Sequence, residues 1–162
     1  MADIGIYEPV EDLYFEDHLP GSVQVLGSVL VTEEEIIAFA KRYDPQVFHV
    51  DPEAAKATSF GGLVASGWHT VALAMRLIVD GRLSRVKNLG SSGVDEVRWL
   101  KPLRPGTQIR VRATVLESRP SKSRPEMGLT KFRYEVLDET GNCLTDMVTT
   151  AMLGRREPGA RP

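Results

Sequence analysis

A carboxylate and an imidazole, Asp44 and His49, stand close together in the run Tyr43-Asp44-Pro45-Gln46-Val47-Phe48-His49-Val50-Asp51-Pro52. Carboxyl groups titrate near about 3.9 and imidazoles near about 6.5, so such a pair can hold one water at neutral pH, take up its proton and return it. Pro45 disfavours helical geometry at Asp44 and cannot extend a helical ladder, so a helix is expected to end there. Asp51-Pro52 opens another, with Asp as N-cap and Pro at the first helical position. The connection between them is predicted to be non-helical and to fold back, aiming both side chains at one point. Each residue also has an ordinary reading: Asp before Pro is a common turn, His a common structural residue, and Asp51 a simple cap. Chemistry here therefore requires the rest of the chain to supply a pocket and a site for negative charge.

The preceding elements deliver Asp44. Val23, Val25, Val29 and Val31 alternate as in a strand over Ser22 to Val31, with a bend at Gly27. Thr32 with Glu35 reads as a capping box, after which Ile36, Phe39, Ala40 and Tyr43 share one helical face. Beyond His49, Pro52 to Thr58 predicts a short helix broken by Ser59-Phe60-Gly61-Gly62. Ser66 then caps a helix from Gly67 to about Gly81, whose Val71, Ala72, Met75, Leu77, Ile78 and Val79 surround most of its circumference. A helix so apolar is expected to be buried. Its first-turn amides have no partner within the helix, and with the positive end of the dipole they suit developing negative charge, provided the backbone is approachable, as Gly67 allows. Taken alone, His69 in that turn reads as a packing or hydrogen-bonding residue, and Ser66 or water could equally satisfy the amides.

The remainder reads as antiparallel sheet: Val94 to Leu100, then Thr107 to about Glu117 with Ile109, Val111, Ala113 and Val115 on one face. A Pro/Ser/Lys/Arg-rich loop follows from Ser118 to Gly128, then a strand through Phe132, Tyr134 and Val136, a turn over Asp138 to Asn142, and a return strand from Cys143 to Leu153. The lead-in, with Tyr7, Leu13, Tyr14 and Phe15, is expected over the core surface, and residues 155–162 as a disordered tail.

At 162 residues the chain fits one domain, 1–162 with a core of about 20–154, large enough to dispense with disulfides. Its single cysteine excludes an internal disulfide. A net charge of -2 points to no nucleic-acid or membrane surface as the main partner, and no apolar run could span a bilayer or serve as a signal peptide, so a cytoplasmic protein is expected. The histidines His18, His49 and His69 are scattered and no Cys-x-x-Cys or His-Glu-x-x-His is present, so no metal site is expected.

About five strands around one apolar helix resemble the hotdog fold, of α+β class. Within it Asp44-x-x-x-x-His49-x-Asp51-x-x-x-Ala55, Phe60-Gly61-Gly62, Ala65-Ser66-Gly67 and the later Arg98-Trp99-Leu100-Lys101-Pro102-Leu103-Arg104-Pro105-Gly106 resemble the MaoC-like dehydratase and (R)-specific enoyl-CoA hydratase family, over roughly residues 20–154. The resemblance implies that Asp44 and His49 activate a water and that the Gly67 backbone N–H binds the thioester oxygen. Phe60, Gly61, Gly62, Ser66, Trp68 and His69 are expected against the substrate. The resemblance further implies an acyl-CoA thioester substrate, no cofactor beyond that CoA, and a homodimer or larger homo-oligomer. Gln46 and Val47 stand where the family's motif has Asn and Pro, and Ser66 where a His is frequent. Two other activities share the fold: an acyl-CoA thioesterase and a non-catalytic acyl-CoA-binding protein. The turns from Trp68 to Val79 lack the acidic or amide residue that hotdog thioesterases generally use, and a binding protein would not need the pair.

Overall fold

The computed structural model describes residues 12–157. Five antiparallel strands form one sheet in the order β1-β3-β4-β5-β2: β1 is Val23–Leu30, β2 Asn88–Trp99, β3 Gln108–Pro120, β4 Met127–Leu137 and β5 Cys143–Gly154. Helix α1 is Glu33–Tyr43, α2 Val47–Val50, α3 Pro52–Ala55 and α4 Gly67–Ile78. Helix α4 packs against β1, β3 and α1, and the sheet wraps it in the expected hotdog arrangement. Ala74, Leu77 and Ile78 of α4 join Ile36 of α1 and Ile109, Val111, Val115, Phe132 and Val136 of the sheet in one core.

The capping box forms as expected. The Thr32 hydroxyl accepts from the Glu35 amide at 3.2 Å and the Glu35 carboxylate accepts from the Thr32 amide at 3.4 Å. Asp51 likewise accepts from the Glu53 and Ala54 amides, both at 3.0 Å, so its carboxylate belongs to the start of α3.

Five expectations need correction. The odd-numbered valines of β1 do not all face the core: Val23 and Val25 are exposed and Leu26 is buried. At Gly27 (φ 52°) the pairing with β3 slips, which reverses the phase so that Val29 packs on the core and Val31 is buried. The connection carrying His49 is one helical turn, α2, rather than non-helical. The two ends of the polar stretch 118–128 continue the sheet, with Ser118↔Thr130, Arg119↔Leu129 and Pro120↔Gly128 in register, and only residues 121–126 form the loop. Backbone pairing and a Ser118–Thr130 hydroxyl contact at 3.1 Å extend this hairpin, and Pro120 stands at the strand's end, where a missing N–H matters least. Strand β2 begins at Asn88 instead of Val94, through an irregular edge with Gly90 and Gly93 at φ 104° and 144°. Finally, α4 is not buried all round, because Trp68, Ala72 and Met75 face outward from this chain.

The chain ends also differ from the compositional reading. Phe15 is buried in the core, and Arg155 and Arg156 are tied to the turn Phe15–Asp17 through ion pairs with Glu16 and Asp17. Tyr7 and the tail from residue 158 onward lie outside the described residues.

Candidate active site

Helix α1 ends on Asp44, whose backbone leaves helical geometry (φ -152°, ψ 67°) ahead of Pro45. Helix α2 carries His49, and α4 begins at Ser66-Gly67. Asp44 and His49 meet with Oδ2 and Nε2 3.5 Å apart. The His49 Nδ1 lies 2.7 Å from the Val64 carbonyl oxygen. A carbonyl only accepts, so Nδ1 carries the hydrogen in this contact, and Nε2 is the nitrogen turned toward Asp44. His49 is buried and its ring edge meets Phe48 at 4.5 Å between centroids.

Two neutral donors hold the carboxylate. The Ser66 hydroxyl donates to Asp44 Oδ2 at 2.7 Å and the Gln46 amide donates to Oδ1 at 2.8 Å. These bonds, the Ser66 one foremost, favour the ionised form and keep the Asp44 carboxyl below the ordinary carboxylate range. Ser66 serves twice, because its oxygen also accepts from the Trp68 amide at 3.2 Å as the cap of α4. One hydroxyl thus ties the carboxylate to the helix that would receive negative charge.

Asp44, Gln46, His49, Ser66 and Gly67 line one cavity of about 480 Å³, with Phe48, Phe60, Trp68, Trp99 and Leu103 as apolar walls. Of the residues expected there from sequence, Asp44, His49, Phe60, Ser66, Gly67 and Trp68 are brought together. Gly61, Gly62 and His69 are not among the lining residues. The two glycines, at φ 65° and 157°, make the turn that sets Phe60 against Phe48, with ring centroids 5.0 Å apart. Arg104 fixes that turn by donating to the Phe60 carbonyl at 2.6 Å.

His69 is turned away for a helical reason. One residue along α4 is a rotation of about 100°, so with Trp68 at the cavity His69 points at α1. There it stacks on Phe39, with centroids 4.7 Å apart and planes 12° from parallel. Burial pushes its pKa down, only partly opposed by Glu35, and its Nδ1 has no hydrogen-bond partner. It is a neutral packing residue.

Gln46, Trp99 and the Val64 carbonyl went unrecognised in the sequence. Gln46, two residues from Asp44 and before a helical turn, carried a local signal. Trp99 carried none, since in sequence it is one aromatic residue in a strand. In the fold it lies on Gly67: a Cβ added there would come within 2.5 Å of the indole Cε2 and Nε1 and 2.9 Å of Cδ1. Trp68 meets the same indole edge-on, with ring centroids 5.3 Å apart.

Chemically, the cavity joins a carboxylate and an imidazole nitrogen in near contact to a helix N-terminus. It is suited to moving a proton next to developing negative charge. A family model described as "MaoC like domain" matches residues 18–136. The crystal structure of a MaoC-like dehydratase from Rhodospirillum rubrum superposes with a TM-score of 0.81 at 37% identity, covering 90% of this chain and 99% of that one. Mesaconyl-CoA hydratase of Haloarcula hispanica is 41% identical over 69 residues, 42% of this chain and 19% of that protein. The 3-hydroxyacyl-thioester dehydratase Z of Mycobacterium tuberculosis is 35% identical over 92 residues, 54% of this chain and 60% of that protein. The match thus spans less than two thirds of either enzyme's own length.

Proposed function

The chain belongs to the MaoC-like domain family, and from that premise we propose that it is a hydro-lyase that reversibly hydrates a 2-enoyl-CoA to a 3-hydroxyacyl-CoA, with (R) configuration at C3. The observation that carries this reading is the meeting of Asp44 Oδ2 and His49 Nε2, 3.5 Å apart, in the cavity that the Gly67 end of α4 also lines. Among relatives, the mesaconyl-CoA hydratase and the 3-hydroxyacyl-thioester dehydratase supply the reaction class by analogy.

A water on the cavity side of the pair donates one O–H to the Asp44 carboxylate and the other to His49 Nε2. Its remaining lone pairs then face the cavity, where C3 of the enoyl group would lie. As the C3–O bond forms, one water proton passes to the pair, the C2=C3 double bond opens, and charge moves onto the thioester oxygen at the Gly67 amide. The pair then returns the proton to C2, so the net change is addition of one water. A positioned base typically contributes about 10²–10⁴ in rate and an oxyanion donor about 10²–10³. No cofactor is needed, because no electrons leave or enter the substrate; CoA takes part only as the thiol half of it.

The test is crotonyl-CoA, or a longer 2-enoyl-CoA, followed for loss of enoyl absorbance and for free thiol. Loss of absorbance without thiol is expected. Thiol release would make the protein a thioesterase, and binding with neither change would make it a carrier of acyl-CoA.

Two copies are expected to associate. Edge strand β2 exposes Leu89 and Val94, apolar side chains on a strand whose outer edge has no partner within this chain. A twofold pairing through such an edge would cover it. Light scattering that finds only monomer at micromolar concentration would overturn this assembly.

A further inference from the structure

We infer that Trp99 supplies a second hydrogen-bond donor to the thioester oxygen, its indole Nε1–H acting beside the Gly67 N–H. The inference rests on the hydratase reading of the cavity and adds to it a residue that contacts the substrate. The position of the indole comes first. From the site of a Gly67 Cβ, Nε1 and Cε2 are equally near at 2.5 Å and Cδ1 only slightly farther at 2.9 Å. A point in line with the N–H bond would lie clearly closer to the nitrogen than to either neighbouring carbon. The Cβ direction of Gly67 therefore meets the face of the five-membered ring beside Nε1, which sets the indole nitrogen against the start of α4.

That N–H has no acceptor among the described residues, and neither has the Gly67 amide. The next amide, of Trp68, is taken by Ser66. Both residues line the cavity that holds Asp44 and His49, at the positive end of α4. An enolate oxygen has lone pairs for both, and donors fixed in advance stabilise it more than water that must reorient.

The indole is held by more than Gly67. Trp99 is the last residue of β2, in register with Thr145 of β5, and the amides of Leu100 and Lys101 both donate to the Leu144 carbonyl, at 2.8 and 3.1 Å. Trp68 braces the ring from the side, with planes 79° apart. An indole N–H also keeps its proton at every working pH, so it acts only by donating.

Trp99→Phe separates donor from shape, since it keeps an aromatic face for Gly67 and removes the N–H. Turnover (kcat) should fall by about 10², the usual cost of one oxyanion donor, with KM and melting temperature little changed because the side chain is half exposed. A second measurement uses the unaltered protein. The chain has only two tryptophans, so its ¹⁵N-indole spectrum holds two signals, assigned with Trp68→Phe. Butyryl-CoA, a saturated thioester that cannot be hydrated, should move the Trp99 proton downfield, as a hydrogen bond to oxygen does. A Phe variant with wild-type kcat, or a Trp99 signal that stays in place or moves upfield, would overturn the donor role while leaving wild-type hydration intact. A wild-type protein that hydrates no enoyl thioester would take down the reading of the cavity, and this inference with it.

Discussion

Replacing Asp44 with Asn, or His49 with Ala, should lower hydration of an enoyl-CoA by at least about a hundredfold, as expected when one of two groups holding a reacting water is lost. The two variants test different things. In Asp44→Asn the side chain keeps its shape and its bonds: the new amide can donate to Ser66 Oγ while its oxygen accepts from Gln46, the two partners of the native carboxylate. Folding should be retained: the Ser66 bond reverses, and the charge and the acceptor that Oδ2 offers to Ser66 and to water disappear. His49→Ala removes a buried ring and leaves the Val64 carbonyl without its donor. This costs stability of about 1–3 kcal/mol, so turnover must be read per folded molecule, with melting temperature measured alongside. The double variant should be little worse than either single one, because residues acting on one water fail together. Near-wild-type turnover in both single variants would remove this cavity from consideration as the site of chemistry.

The same geometry sets a pH expectation for the wild-type activity. Ser66 and Gln46 hold the Asp44 carboxyl below the usual range, so its folded pKa is depressed. A depressed carboxyl contributes stability that is fully present above its unfolded value and is lost only as pH falls through the lowered folded value. The carboxylate therefore remains ionised across neutral and mildly acid conditions.

What the sequence could disclose followed the range of the signals. The end of α1 at Asp44, the cap at Asp51 and the cap at Ser66 are local events, written in Pro45, Pro52 and the Thr32/Glu35 spacing, and each is where it was expected. From these follows the approach of Asp44 to His49. The periodicity of β3 likewise named its buried face. The rest depends on residues far apart along the chain. Ser66 reaches Asp44 from 22 positions away, and Trp99, at the end of edge strand β2, reaches Gly67 at the start of α4. Backbone pairing, which carries no residue-type pattern, extends the β3–β4 hairpin through a polar stretch. The phase change at Gly27 was legible as a bend, but its effect on the valines around it was not. For His69, nearness in sequence misled: adjacent residues of a helix face different neighbours.

Substituting Gly67 is expected to lower turnover sharply, and the structure changes the reason. Read from sequence, glycine there serves to let the thioester oxygen approach the chain, so that Gly67→Val should obstruct the oxygen. In the fold, the Cβ direction at Gly67 points at the Trp99 indole, 2.5 Å from two of its atoms, a separation that real side chains do not tolerate. Trp99 is 49% exposed, so a methyl at position 67 can force the indole out of its place without opening the core. Even Gly67→Ala should therefore displace it. Turnover should drop by about 10², as for loss of one oxyanion donor, while the melting temperature changes little. A falling melting temperature with unchanged activity per folded molecule would instead make Gly67 a packing residue. The background of Trp99→Ala tells the two routes of activity loss apart. With the indole gone, an alanine methyl at position 67 meets nothing at that distance, so adding Gly67→Ala should cost little beyond Trp99→Ala alone, the non-additivity of two residues in contact. If Gly67→Ala costs as much in that background as in the wild type, the methyl itself blocks the oxygen, and the coupling through Trp99 is wrong.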